Sequence, residues 1–152
     1  TGTVSSIPLI ATSIMSKKIA RGADKILIDI KYGKGALMKT EKEARELKDL
    51  IIRIGNVYDK EVRCLLSDMS TPLGICVGNA LEVGEAAEIL NGKIKNNLYD
   101  LSVEIASNMV SMGKNISIIE ARKEVKEAMG INYLNNKDFI DEQIKKYNCQ
   151  IN

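Results

Sequence analysis

Apolar positions along this chain change period several times, and the changes mark its elements. Residues 8–20 hold helical character, with Pro8 suited to a first turn, Ser5 or Ser6 before it as a cap, and Gly22 as the stop. Residues 25–30 (KILIDI) are a short Ile-rich run that predicts a buried strand, broken by Gly33 and Gly35. Residues 41–55 return to the helical period. Leu47, Leu50, Ile51 and Ile54 form the apolar stripe, Thr40 and Glu43 have the spacing of a capping box, and Gly55 is the expected end. A second strand is predicted over 62–66, followed by a loop over 67–78 containing Pro72 and Gly74. Helices follow over 79–90, stopped by Asn91 and Gly92, and over 98–112, with Leu98, Leu101, Ile105 and Met109 as the stripe. Two more are expected over 117–129, capped by Ser117 with Glu120 three residues on, and over 136–147.

Strand, helix, strand, helix in this order predicts an α/β fold with parallel strands and helical crossovers, joined to several further helices. A two-stranded sheet is marginal by itself. The chain also begins with Thr1, at the approach to a helix. The expectation is therefore a piece of something longer.

Composition narrows the chemistry. The 152 residues include 45% hydrophobic ones, which is globular, and the net charge of +2 is too small to argue for nucleic acid or a membrane surface as partner. No apolar run approaches the roughly 18 residues of a membrane span. Cys64, Cys76 and Cys149 lack CxxC spacing, which fits a reducing, cytoplasmic setting. The absence of histidine excludes a Ser-His-Asp triad or a histidine-metal site within this chain. Chemistry must come from Lys, Arg, Ser, Asp or Glu.

The first helix carries the unusual mix. Ile10, Ser13, Ile14 and Lys17 fall at i, i+3, i+4 and i+7, on one face. Two apolar groups, a hydroxyl and an ammonium suit a flat heterocycle with a polar edge. The bland alternative is a surface helix with a chance serine and a snorkelling lysine. Gly33 and Gly35 could cradle a phosphate or simply form a tight turn. Asp29 and Asp68, each at the end of a predicted strand, could orient Lys31 or loop amides, or brace the loops.

Four ordered blocks carry a resemblance. SIPLIATSIMSKK over 6–18 resembles the base-contacting helix of the pyrimidine-nucleoside and thymidine phosphorylase family. DIKYGKGALMK over 29–39, SDMSTPLG over 67–74 and GNALEVGE over 78–85 resemble three further family segments. The family pattern more often has Phe where Leu37 stands, and its tail differs from the residues after Phe139.

The resemblance implies phosphorolysis of a pyrimidine nucleoside, giving free base and a pentose 1-phosphate. Ser13 and Lys17 fall on positions that hydrogen-bond the base, with Lys17 acting in catalysis. Ile10, Ile14 and Leu37 match positions lining the base pocket. It implies no organic cofactor, phosphate as co-substrate, and a monovalent cation such as potassium held by the Leu73 and Cys76 carbonyls and the Glu85 carboxylate. Those same residues could instead be a loop braced by a helix, with Glu85 merely exposed. The implied architecture is a two-domain enzyme. Residues 1–20 would be one helix of a small all-α domain, 21–152 part of the large α/β domain, and Arg21, Gly22 and Ala23 a hinge. The implied assembly is a homodimer. The family's base-binding Arg and phosphate loop would precede Thr1, so this chain alone is expected to be inactive. Competing readings are a phosphoribosyltransferase of the anthranilate type and a non-catalytic module.

Overall fold

In a computed structural model, the backbone is described over residues 6–135 and side chains over 6–129. The helix expected at 136–147 lies outside the described residues. Among these residues the elements are α1 (Ile7–Ala20), β1 (Lys25–Tyr32), α2 (Glu41–Val57), β2 (Glu61–Asp68), α3 (Asn79–Leu90), α4 (Asn97–Lys114) and α5 (Ile118–Asn135). The α/β class read from the sequence is thus present, with β1 and β2 paired in parallel across the α2 crossover. The chain forms two compact units, Thr1–Thr71 and Pro72–Asn152.

The first unit is built on one face of the two strands. Alternate residues of a strand point to opposite faces. Ile26, Ile28, Ile30 and Tyr32 of β1, with Val62, Cys64 and Leu66 of β2, join a core containing Ala44, Leu47 and Ile51 of α2. Ala11 and Met15 of α1 are fully buried in the same cluster. Both strands run longer than the apolar pattern predicted. The register continues through Lys31 opposite Ser67 and Tyr32 opposite Asp68, because backbone pairing does not require apolar side chains. Asp29 therefore lies inside β1 rather than at its end. Its carboxylate accepts from the Ser67 hydroxyl at 2.6 Å and pairs with the Lys31 ammonium at 2.6 Å.

The Thr40 capping box forms as expected. The Thr40 side chain accepts from the Glu43 amide at 3.2 Å, and the Glu43 carboxylate accepts from the Thr40 amide at 3.0 Å. Gly55 does not end α2. It is buried two residues before the helix stops, and a Cβ there would lie 2.3 Å from Val62 Cγ2. Its role is to let α2 lie close on β2. The turn itself uses Asp59, at φ 52, and a bond from the Lys60 amide to the Gly55 carbonyl.

The second unit is helical. α4 starts at the Asn96 cap, whose side chain accepts from the Tyr99 amide. Its buried face is not the predicted one. Val103, Ser107, Asn108, Ser111 and Met112 are buried, whereas Met109 is 60% exposed and Leu98, Leu101 and Ile105 are only half-buried. Hydroxyls can be buried here because they are satisfied locally: Ser107 donates to the Val103 carbonyl at 2.6 Å and Ser111 to the Ile116 carbonyl at 2.8 Å. α5 packs beside α4 through Ala121 and Val125, with Arg122 paired to Glu104 and Lys114 to Glu124. The Ser117–Glu120 capping box is also formed. No helix of the described residues is long and apolar enough to cross a membrane.

Candidate functional site

α1 is positioned by what it buries. Pro8 occupies its first turn, as expected; Ser6 stands at the N-cap position but its side chain makes no capping bond. With Ala11 and Met15 anchored in the core, Ile10 and Ile14 flank the buried line and are half-buried against it. Ser13 and Lys17 are exposed. The set read as one face is therefore divided between two environments. Its apolar half lies at the edge of the core, and its polar half projects to solvent. Neither Lys17 nor the Ser13 side chain has an ion pair or hydrogen bond among the described residues, although the Ser13 carbonyl accepts from the Ser16 hydroxyl at 3.2 Å.

Leu37 belongs to the segment between β1 and α2, in the same unit. It is 56% exposed, while its neighbours Ala36 and Met38 are 5% exposed. Met38 lies in the core cluster that holds Ala11 and Met15, so this segment and α1 share one anchor. Gly33 and Gly35 serve the turn. Gly33 has φ +108, and its amide donates to the Met38 carbonyl; the Gly35 amide donates to the Met69 carbonyl. With those amides engaged inside the protein, the turn reading accounts for both glycines. Asp68 accepts from the Ser70 hydroxyl and amide, which hold its carboxyl below the usual carboxylate range. It braces the loop after β2.

Leu73, Cys76 and Glu85 come together in the second unit. They line one hollow of about 520 Å³ with Gly74, Glu82 and Leu98. Glu85 is not exposed: it is 4% accessible, in the middle of α3. Its carboxylate accepts from the Ile75 amide at 2.9 Å, the Cys76 amide at 3.1 Å and the Asn96 side-chain amide at 2.7 Å. Burial pushes this carboxyl up, but those donors outweigh it and leave it below its ordinary value. Gly74 is required by the same packing, since a Cβ there would lie 2.4 Å from Glu85 Oε2. Among the described residues no three His, Cys, Asp or Glu side chains group as metal ligands.

Two participants escaped the sequence reading. Asn96 both caps α4 and holds Glu85; an Asn just before a helical run was the available signal. Lys39 folds its ammonium back onto the carbonyls of the loop before it, and no local pattern announces that.

Comparison with known proteins gives the class first. The model of the glycosyl transferase family, a/b domain, matches residues 1–131, and the chain belongs to this family. Within it, the chain is similar to pyrimidine-nucleoside phosphorylases. It is 49% identical to the one from Bacillus subtilis (strain 168) over 146 residues, covering 94% of this chain and 34% of that protein. It is 48% identical to the Staphylococcus haemolyticus (strain JCSC1435) protein over 130 residues, covering 85% and 30%. For Staphylococcus aureus (strain USA300) the identity is 48% over 120 residues, covering 79% and 28%. The chain thus spans about a third of the length of the curated relatives it matches.

Proposed function

We propose that this chain supplies the pyrimidine-binding helix of a pyrimidine-nucleoside phosphorylase. In that reaction inorganic phosphate attacks the anomeric carbon of a pyrimidine nucleoside. The glycosidic bond breaks, and its electron pair leaves with the base. Negative charge grows on the ring nitrogen and carbonyl oxygens. The Lys17 ammonium stabilises that charge more in the transition state than in the ground state. Ser13 orients the base by a hydrogen bond, and Ile10, Ile14 and Leu37 supply apolar surface.

The observation that carries this reading is the exposed, unpaired Ser13 and Lys17 beside half-buried isoleucines, in a chain about half identical to phosphorylases. The same reading takes residues 1–20 as a helix of a small domain with Arg21, Gly22 and Ala23 as its hinge; α1 itself packs in the first unit through Ala11 and Met15, and Gly22 has φ +75. It takes the working enzyme as a homodimer in which other segments hold phosphate.

A monovalent cation such as potassium belongs to this reading too, between the Leu73 and Cys76 carbonyls and Glu85. The donors suit a hard ion. Three protein donors already engage the Glu85 carboxylate, leaving it about one of its four acceptor directions.

The test is base release from uridine and thymidine by protein that joins this chain to the further segments its relatives have. Release that requires phosphate, with pentose 1-phosphate formed in equal amount, supports the proposal. Base release only from a pyrimidine nucleoside 5′-monophosphate and only with pyrophosphate, with 5-phosphoribosyl 1-pyrophosphate formed in equal amount, would replace it with a phosphoribosyltransferase. No turnover with any pyrimidine nucleoside would leave a non-catalytic module.

A further inference from the structure

The segment between β1 and α2 is held at more points than its length requires. At its entrance the Gly33 amide donates to the Met38 carbonyl at 3.0 Å, and Tyr32 forms a β-bridge with Met38. At its exit the Lys39 and Thr40 amides both donate to the Glu43 carboxylate, at 2.7 and 3.0 Å. Along its flank the Gly35 amide donates to the Met69 carbonyl at 3.1 Å; that approach is so close that a Cβ on Gly35 would lie 2.7 Å from the same oxygen. What remains is the crest, residues 34–37, where the exposed Leu37 stands between buried Ala36 and Met38. The Lys39 ammonium ties this crest. It donates to the Ala36 carbonyl at 2.7 Å and to the Lys34 carbonyl at 3.3 Å.

We infer that Lys39 is a positioning residue for the pyrimidine site: by tying the loop crest, it holds Leu37 preformed against the base before any ligand arrives. The inference rests on the base-binding reading of α1 and Leu37. A carbonyl accepting from a cation makes a stronger bond than one accepting from a neutral donor. An apolar side chain contributes most to binding when its backbone is already in the bound conformation, because no ordering cost is then charged to the complex. Without the ammonium, two carbonyls return to water and the crest gains conformers that binding must remove. The Gly33, Gly35 and Glu43 bonds persist, so the loop loosens at its crest without unfolding.

The experiment follows thymine titration at the Leu37 methyl groups by NMR, with amide hydrogen exchange at Gly35 and Ala36. It compares protein that joins this chain to the further segments its relatives have with its Lys39→Met and Lys39→Arg variants. Lys39→Met is expected to bind thymine roughly three- to tenfold more weakly, with faster exchange at Ala36 and unchanged melting. Lys39→Arg, which restores a cationic donor, should recover both. Equal thymine affinity for Lys39→Met and the unsubstituted joined protein overturns the inference while leaving the base site standing. No thymine response at Leu37 or α1 in that joined protein without substitution overturns the base-binding reading instead. In that case exchange decides the crest tie alone: faster exchange at Ala36 in Lys39→Met supports it, and unchanged exchange removes it.

Discussion

Lys17 on α1 and Glu85 on α3 are both charged groups on helices, and their surroundings differ in kind. Lys17 is exposed, with no ion pair among the described residues. Glu85 is buried and accepts three hydrogen bonds from the loop before it and the cap of the next helix. A charge in water needs no protein partner, so it is free to meet a ligand. A charge withdrawn from water must be compensated where it sits. The first arrangement costs the fold almost nothing and can be spent on chemistry; the second is part of the fold. Mutation should separate them cleanly, with one site losing activity and the other losing stability.

The largest effect is expected at Lys17. In protein that carries the further segments of the relatives, Lys17→Ala should lower kcat/KM for phosphorolysis about a hundredfold or more, with urea unfolding shifted by less than about 0.5 kcal/mol. Near-normal turnover would remove Lys17 from the site and collapse the contrast. Next, Glu85→Ala should destabilise the second unit by about 2 kcal/mol, because three donors lose their acceptor in a buried place. Urea unfolding reads this directly; an unchanged midpoint would mean that water replaces the carboxylate without cost. Ser13→Ala comes third, with a loss of about tenfold to a hundredfold in kcat/KM and no change in melting. A neutral hydrogen bond is weaker than a charge-assisted one.

The smallest effect is the pH response. The folded Glu85 carboxyl lies below its ordinary value. Its contribution to stability is therefore present above the unfolded value of about 4.3 and is lost as pH falls through the lower folded one. Protection of the Ile75 and Cys76 amides, taken relative to their intrinsic exchange, should fall as the carboxylate is protonated in acid, and Glu85→Gln should remove most of that acid dependence. The Asn115 region, far along the chain at the end of α4, serves as an internal reference in the same spectra.

How much of this was legible beforehand depended on how local the cause was. The Thr40–Glu43 and Ser117–Glu120 boxes were readable because both partners lie within one turn. The core stripe of α2 was readable because a 3.6-residue period is a property of the segment itself. The α4 stripe was misread because Ser107 and Ser111 count as polar in any pattern, yet bury well once their hydroxyls bond nearby carbonyls. Gly55 was misread as a stop because a glycine near a helix end has two possible reasons, and only the position of Val62 selects between them. The strand ends were set short because Lys31, Ser67 and Asp68 are polar, whereas the ladder depends on backbone alone. At the candidate site, Ile10, Ser13, Ile14 and Lys17 could be grouped by spacing. Their division into a half-buried and an exposed pair could not, since it depends on how Ala11 and Met15 dock.

The sequence by itself determined the order of elements, the α/β class, the caps of α2 and α5 and the family blocks, because each is written in residues close along the chain. Tertiary structure alone decided that Glu85 is a buried clamp rather than a surface charge, that Gly74 leaves room for it, and that Lys39 ties the crest bearing Leu37. In those cases an atom's role depends on the distance to a group whose position comes from packing, and packing distances are not written in any local run of residues.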